Sequence, residues 1–429
     1  MSGAGHNTFS RCSSEHVRSP SILLSRIFQI KVQTESETFY NTDYNLGMRH
    51  LIIDELGPLK HVDIFLERLN VIIGPQSSGK SCVLKVASYC TWVEKRIQIA
   101  QSSDSFTSGR AFIDGLVKYH KLQQYVRETT RIEYESDTMH FIYDNKEVKF
   151  KFQWKSNRWG YQRSKVTYVP AERNMVAVIP NWFDVKLGQN NIRGFMSDWV
   201  ESRNATTDNV QVLNLDAKYR YDSSSGRDVV TVDGGLELDF INTSSGLQSL
   251  IPLYIHLNFL SKQMYDSDLS SMQNDSENDN LLNKIYAEFF DKASQNDNFF
   301  IAKIGRTMKA FAKKEHIEKC REIYSRYIKA DHNDIFLEEP EQNIFPPTQT
   351  ILTDWLIDMT QGEHPSNLFI ATHSPYILNT LVEYPDLEFN LFVTRMEKGY
   401  SVVKTATEAD IQSILDYGVD VFLNTQTMG

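Results

Sequence analysis

The sequence predicts an α/β fold, with a mixed core sheet flanked by helices, an antiparallel β lobe and a helical insertion. Three observations predict it. A short apolar run, Leu69-Asn70-Val71-Ile72-Ile73, passes through a glycine-bounded loop into a helical pattern from Val83 to Tyr89. Two later apolar runs, from Asp334 to Leu337 and from Leu368 to Ala371, end abruptly in acids or in a histidine. The stretches Arg131 to Tyr134, His140 to Tyr143 and Val148 to Trp154 alternate apolar and polar residues, as paired antiparallel strands do.

The first junction carries the most specific chemistry. Gly74-Pro75-Gln76-Ser77-Ser78-Gly79-Lys80-Ser81 fits G-x-x-x-x-G-K-[ST] at every constrained position. Glycines let backbone N–H groups curl around a phosphate, Lys80 reaches the β and γ phosphates, and the Ser81 hydroxyl can ligate Mg²⁺. The anion then sits on a helix N-terminus. In the second run Glu338 and Glu339 follow the strand directly. One carboxylate at such a place holds Mg²⁺, usually through water, and the next polarises the water that attacks the γ-phosphate. Glu338 is assigned to the metal and Glu339 to the base. The third run ends Ala371-Thr372-His373-Ser374-Pro375, where His373 can hydrogen-bond a γ-phosphate. Ser244-Ser245-Gly246-Leu247-Gln248 precedes the apolar, helix-like run Leu250 to Leu260, and its small residues let backbone N–H groups and the Ser245 hydroxyl approach a phosphate.

Taken in order, these four elements resemble the Walker A loop, the S-G-x-Q signature, Walker B with its glutamate and the switch histidine of an ABC-type ATPase head. Such a resemblance implies bound ATP and Mg²⁺ and a head-to-tail pair of copies, or a higher oligomer. In it Ser245, Gly246 and Gln248 of one copy cap the nucleotide held by residues 74–81 of the other. Glu338-Glu339-Pro340-Glu341-Gln342-Asn343 and the segment 371–375 are similar to OLD-type and SMC-like bacterial ATPases rather than to transporter subunits. Tyr168-Val-Pro-Ala-Glu172-Arg173 stands where transporters have their Q-loop, so the resemblance implies that Glu172 or Arg173 faces the nucleotide. Leu247 replaces the second signature glycine, and Phe345 occupies a place that is often histidine. The resemblance spans roughly residues 48 to 405.

Composition bounds the reading. A chain of 429 residues, 41% hydrophobic, can bury a sizeable core as one elaborated domain or two lobes. Cys12, Cys82, Cys90 and Cys320 have no metal-ligand spacing and read as reduced thiols. No apolar run reaches the ~18 to 20 residues of a membrane span, so a cytoplasmic protein is expected. The net charge of −10 argues against a wholly basic nucleic-acid protein while allowing a local basic groove.

Residues 1–47 are expected to be a poorly ordered extension, with Met48 a candidate start. The head then occupies 48–429, with insertions at 174–235 and 261–330. Helical patterns are read at Ser81 to Ile99 and Ala111 to Arg127, a turn at Asp222 to Gly226 and a strand at Val229 to Val232. Tyr265 to Asn280 carries five acids and no base and reads as a flexible loop. Phe300 to Ala330 holds nine Lys or Arg against three Glu, and its apolar residues follow a helical period. Lys303, Arg306, Lys309, Lys313, Lys314, Lys319 and Arg321 fit a phosphate backbone, an acidic partner or plain solvation. Trp154, Trp159 and Tyr161 beside Arg158 and Arg163 suit base stacking, but suit core and strand positions better.

Three functions fit. The first is an ATPase that switches an assembly and so controls an effector nuclease encoded nearby. It resembles the ATPase components of antiphage systems, AriA of PARIS, PtuA of Septu and the ATPase half of OLD nucleases. The chain runs about 56 residues past His373, too few for a Toprim nuclease, so a separate nuclease chain is expected. The second is a RecF-like repair ATPase that clamps DNA, with contact through 303–329. The third is a scaffold with little turnover, against which Glu339 argues.

Overall fold

The computed structural model describes residues 48–179, 184–263, 275–290, 299–361, 364–384 and 386–417. The expected disorder of residues 1–47 falls outside them. Seven strands come early: β1 (Arg49–Leu56), β2 (Leu59–Leu66), β3 (Leu69–Ile73), β4 (Val126–Glu135), β5 (Met139–Asp144), β6 (Lys149–Trp154) and β7 (Ser164–Val169). A small sheet follows from β8 (Val210–Gln211), β9 (Ala217–Asp222), β10 (Arg227–Val232) and β11 (Leu236–Asp239). The strands β12 (Phe300–Ile304) and β13 (Thr307–Phe311) pair only with each other. The chain then returns with β14 (His332–Glu338), β15 (Asn367–Ala371), β16 (Asn390–Glu397) and β17 (Tyr400–Thr405).

The main sheet has eleven strands in the order β6-β5-β4-β1-β2-β17-β16-β3-β15-β14-β7. Neighbours from β16 through β3, β15 and β14 to β7 run parallel, and β2-β1-β4-β5-β6 form an antiparallel arm. The two patterns follow from composition. Every residue of β3, β14 and β15 is buried, as strands covered on both faces require. In the arm, β5 alternates strictly between buried and half-buried residues, as a strand with one wetter face does.

The helices used below are α1 (Lys80–Ala100), α2 (Ala111–His120), α3 (Asn191–Ala205), α4 (Ser245–Asn258), α5 (Asp275–Phe289), α6 (Lys314–Ile328), α7 (Pro346–Asp358), α8 (Pro375–Glu383) and α9 (Glu408–Tyr417). Helix α1 sits against one face of the sheet. Its Val83, Leu84, Val86, Ala87, Cys90 and Val93 share a core with Leu51 and Ile53 of β1 and with Phe336, Phe369 and Phe392 of the parallel strands. The opposite face is covered by α3, α4, α7 and α8 with the small sheet. Helices α5 and α6 and the β12–β13 hairpin enclose a third core around Leu281, Leu282, Phe311 and Tyr327. Among the described residues no helix is long and apolar enough to cross a membrane.

Three expectations need correction. The helix expected over Ala111 to Arg127 stops at His120, because Lys121 takes a left-handed conformation (φ 58°) whose N–H closes on the Val117 carbonyl, and β4 starts at Val126. The acidic segment Tyr265 to Asn280 is helical from Asp275, where α5 begins and carries Leu281, Leu282 and Ile285 into the third core; residues 264–274 lie outside the described ones. The basic stretch is helical only from Lys314, since Gly305 (φ 57°) and Arg306 turn β12 back onto β13. Cys82, Cys90 and Cys320 are buried free thiols. Arg158 stacks 4.4 Å from the Trp154 ring and 4.8 Å from Trp159, and Tyr161 is buried, so this aromatic group is part of the protein's own packing.

Candidate nucleotide site

Four neighbouring parallel strands, β3, β15, β14 and β7, deliver their carboxyl ends to one rim of the sheet. At such ends polar loops leave the core and ligands bind in open α/β sheets. The loop after β3 is residues 74–81. It turns through positive φ at Gly74 (142°), Ser77 (61°) and Gly79 (87°), then enters α1 at Lys80. Both glycines are fixed by what stands beside them. A Cβ on Gly74 would collide with the Thr394 hydroxyl of β16, and one on Gly79 would lie 2.6 Å from the Leu59 side chain.

The loop is braced from the β16–β17 hairpin. Ser78 bonds the Thr394 hydroxyl and donates to the Pro75 carbonyl at 2.7 Å; the Ser401 hydroxyl donates to the Ser78 carbonyl. Pro75, Gln76 and Ser77 stay exposed at the tip, and Ser81 is half-buried on the first turn of α1. Lys80 is buried, and its ammonium donates to the carbonyls of Gly74 (2.9 Å) and Pro75 (2.7 Å). Burial pulls that amine down to about 8, while Glu339 and Glu341 act to hold it up. A cation spending its donors on its own loop is set to exchange them for an anion.

Glu338 ends β14 as a buried carboxylate, with Lys85 of α1 at 3.7 Å, too far for a hydrogen bond. Glu339 follows in the left-handed region (φ 45°), with its N–H on the Ala371 carbonyl at 2.8 Å and its side chain 40% exposed. His373, just past β15, places Nε2 3.6 Å from Glu339 Oε1. The His373 N–H is fixed at 2.7 Å by Glu341 Oε1, and the other Glu341 oxygen is buried without a partner. Burial, then the charge of Lys80, lowers the His373 imidazole to about 4, so the ring is neutral at pH 7; burial also raises the Glu341 carboxyl. Lys80, Glu338, Glu339 and His373 therefore lie on one rim of the sheet.

The segment after β7 behaves differently from the expectation for Arg173. Its guanidinium is fully buried and donates to four backbone carbonyls: Ser249 (3.1 Å), Glu338 (3.0 Å), Glu339 (3.0 Å) and Pro340 (3.0 Å). Arg173 thus grips the turn after β14 from inside the protein. Glu172 is half exposed and pairs with Lys121 at 3.1 Å.

Ser244 caps α4, its hydroxyl accepting from the Leu247 N–H at 3.4 Å, so exposed Ser245 stands at a helix N-terminus. Gly246 packs against the Asn343 carbonyl, and Gln248 turns back to donate to the carbonyls of Ile241 (2.9 Å) and Thr243 (3.0 Å). Among the described residues no hydrogen bond or ion pair joins residues 244–248 to residues 74–81. Sequence reading missed Lys85, Glu341, Thr394 and Ser401. Lys85 lies one helical turn after Ser81, a spacing that puts both on one face and could have flagged it.

No protein-family model matches the chain, and no curated protein matches it. Among solved structures, it is similar to the SMC head domain from Thermotoga maritima, at 9% identity and a TM-score of 0.39, over 84% of this chain and 99% of that one. A head crystallised with the C-terminal winged-helix domain of ScpA gives 11% identity and a TM-score of 0.39, over 84% and 98%. An Smc head with extended coiled coil, bound to a ScpA domain derived from Pyrococcus furiosus, gives 9% and 0.30, over 86% and 98%. The chain's own strand order and loop geometry define an α/β P-loop fold, a large mixed sheet flanked by helices.

Proposed function

We propose that this chain is an ABC-type ATPase head that binds and hydrolyses ATP and pairs head to tail with a second copy. Through that pairing it holds or releases a separate effector, a nuclease of a bacterial antiphage system. One observation carries the ATPase part: Lys80, Glu339 and His373, distant in sequence, meet at the ends of adjacent strands, with Glu339 held beside His373 at 3.6 Å. The exposed N-terminus of α4, with no bond to its own phosphate loop, supports completion of each site by a second copy.

In this reading Lys80 leaves the Gly74 and Pro75 carbonyls for the β and γ phosphates, and the first turn of α1 presents its N–H groups to them. The Ser81 hydroxyl and the Glu338 carboxylate, which Lys85 neutralises only at a distance, fit a divalent cation. Mg²⁺ bound there neutralises charge that builds on the phosphates. Glu339 takes a proton from the attacking water onto a carboxylate oxygen, so that the new oxygen–phosphorus bond forms as the bridge to ADP breaks. Neutral His373 orients the transferred group without adding charge.

Turnover and solution mass, measured with and without ATP, test the proposal. It expects Mg²⁺-dependent hydrolysis and a doubled mass with ATP. A protein that stays a monomer without turnover, at saturating ATP and Mg²⁺, sinks it. Effector control is read by adding the product of the adjacent gene.

The basic unit 300–330 favours a second reading, a DNA clamp. Part of its charge is engaged at home: Lys309 bonds Asn283 at 2.6 Å and Arg321 pairs with Glu318 at 2.7 Å. A clamp would bind duplex DNA only with ATP, with log K falling by about 0.9 per phosphate contact for each decade of salt. Flat, ATP-independent binding rejects it.

A further inference from the structure

We propose that Arg173 is a positioning residue that ties α4 to the Glu339 base of the same chain, so that the two nucleotide sites of a head-to-tail pair act on each other. This rests on the roles proposed for Ser245 and Glu339.

The four carbonyls that Arg173 grips belong to two elements. Three are consecutive, Glu338, Glu339 and Pro340, and the fourth is Ser249, one turn into α4. Three successive carbonyls can face one donor only where the chain turns, and Glu339 makes that turn in a left-handed conformation that a glutamate rarely adopts. The planar fork of a guanidinium spans such an array, whereas an ammonium concentrates its donors at one point. Burial lowers Arg173 to about 10, with Glu341, Glu339 and Glu338 acting the other way. A core filler at this place would be better made of hydrocarbon.

A second tie runs in parallel. Asn343 Nδ2 donates to the Ser249 hydroxyl at 2.9 Å, and a Cβ on Gly246 would lie 3.2 Å from the Asn343 carbonyl. The start of α4 and residues 338–343 therefore form one piece. In a head-to-tail pair the Ser245 end of that piece serves the partner's nucleotide while its Glu339 end serves the chain's own. Engagement of α4 at one site then sets the base at the other.

Arg173→Lys tests this, through kcat, KM for ATP, the shape of the ATP saturation curve and Tm. The expected outcome is cooperative turnover in the native protein. In the variant kcat falls by about tenfold or more, as expected when hydrogen bonds that orient the base are lost, with KM within about twofold and a hyperbolic curve. Asn343→Gly keeps the positive φ (62°) of that position and removes only the second tie, so it should weaken cooperativity even if Arg173→Lys fails to fold. A folded Arg173→Lys protein with native kcat and cooperativity overturns the proposal. So does a drop in kcat that follows only the folded fraction, which is what a purely structural arginine gives. Hyperbolic turnover in the native protein removes the coupling and leaves the ATPase reading standing. Absence of native turnover removes both.

Discussion

Arg49 and Asp334 form an ion pair across the sheet, with Nη1 2.6 Å from Oδ1 and Nη2 3.2 Å from Oδ2. Their strands, β1 and β14, are separated in the sheet by five others, β2, β17, β16, β3 and β15. The sheet must therefore curl far enough for its antiparallel arm to meet the far parallel strands, wrapping α1. Asn367 adds a bond to Asp334 Oδ1 at 2.8 Å, and Arg49 and its neighbours hold that carboxyl well below the usual range although burial pushes it up. Asp334 is thus a structural acid near the start of β14.

Removing one partner of this pair should leave a buried charge stranded. Arg49→Leu should cost about 3 to 5 kcal/mol in urea unfolding, and adding Asp334→Asn should recover much of it. Additive losses in the double variant would mean that the two residues do not stabilise each other.

Two single changes separate binding from chemistry. Glu339→Gln removes the base but leaves Lys80 and Glu338, so it should still bind ATP while turnover falls by roughly 10² or more. Lys80→Ala removes the cation and should weaken ATP binding by about one to two decades, the range of a charge-assisted hydrogen bond. Calorimetric titration of both variants, alongside phosphate release, reads the difference. Equal ATP affinities, or native turnover in Glu339→Gln, would contradict these roles.

The rim of the candidate site was legible in the sequence because β3, β14 and β15 are buried runs that end at the candidate residues. The apolar run of Val71 to Ile73 stops at Gly74, that ending in Leu337 at Glu338, and that ending in Ala371 at Thr372 and His373. The role of Arg173 was not legible, since its four acceptors are backbone carbonyls 76 to 167 positions away and leave no trace in residue type. The hairpin at 300–311 was misread for a definite reason. Ile301, Ile304, Met308 and Phe311 recur at three- and four-residue intervals, as a helical face would. Yet only Ile304 and Phe311 are buried, and Ile301 and Met308 are 60% and 62% exposed. Gly305 was the contrary signal, a positive-φ residue where the chain turns.

Stability should fall as pH drops from about 6.5 towards 4. His120 and His256 are buried and held below the ordinary histidine range, His256 at about 4, chiefly by burial. The unfolded chain takes up protons at these residues near 6.5, before the folded one does, so protons favour unfolding across that window. Each histidine contributes up to about 1.4 kcal/mol per pH unit. Glu341, whose carboxyl burial raises, binds its proton earlier when folded and offsets part of the loss. Urea midpoints between pH 7 and 5 test the sign, and a rising midpoint on acidification would refute it.

The shared site makes a stronger demand than any single variant. Under the head-to-tail reading a chain with Lys80→Ala lacks a working phosphate loop but keeps its signature serine, while Ser245→Arg blocks the signature and keeps the loop. Each variant alone should be nearly inactive, because every site in its homodimer has one defective half. In the mixed dimer one site collects both defects and the other collects none, so about one working site per mixed dimer should return. Tagging the two chains differently and purifying the mixed species before measuring phosphate release makes the count direct. Ser245 is exposed and forms no bond to its own phosphate loop, so Ser245→Arg should leave the core of its own chain undisturbed. A verified mixed dimer as inactive as its parents would place the signature serine outside the partner's site.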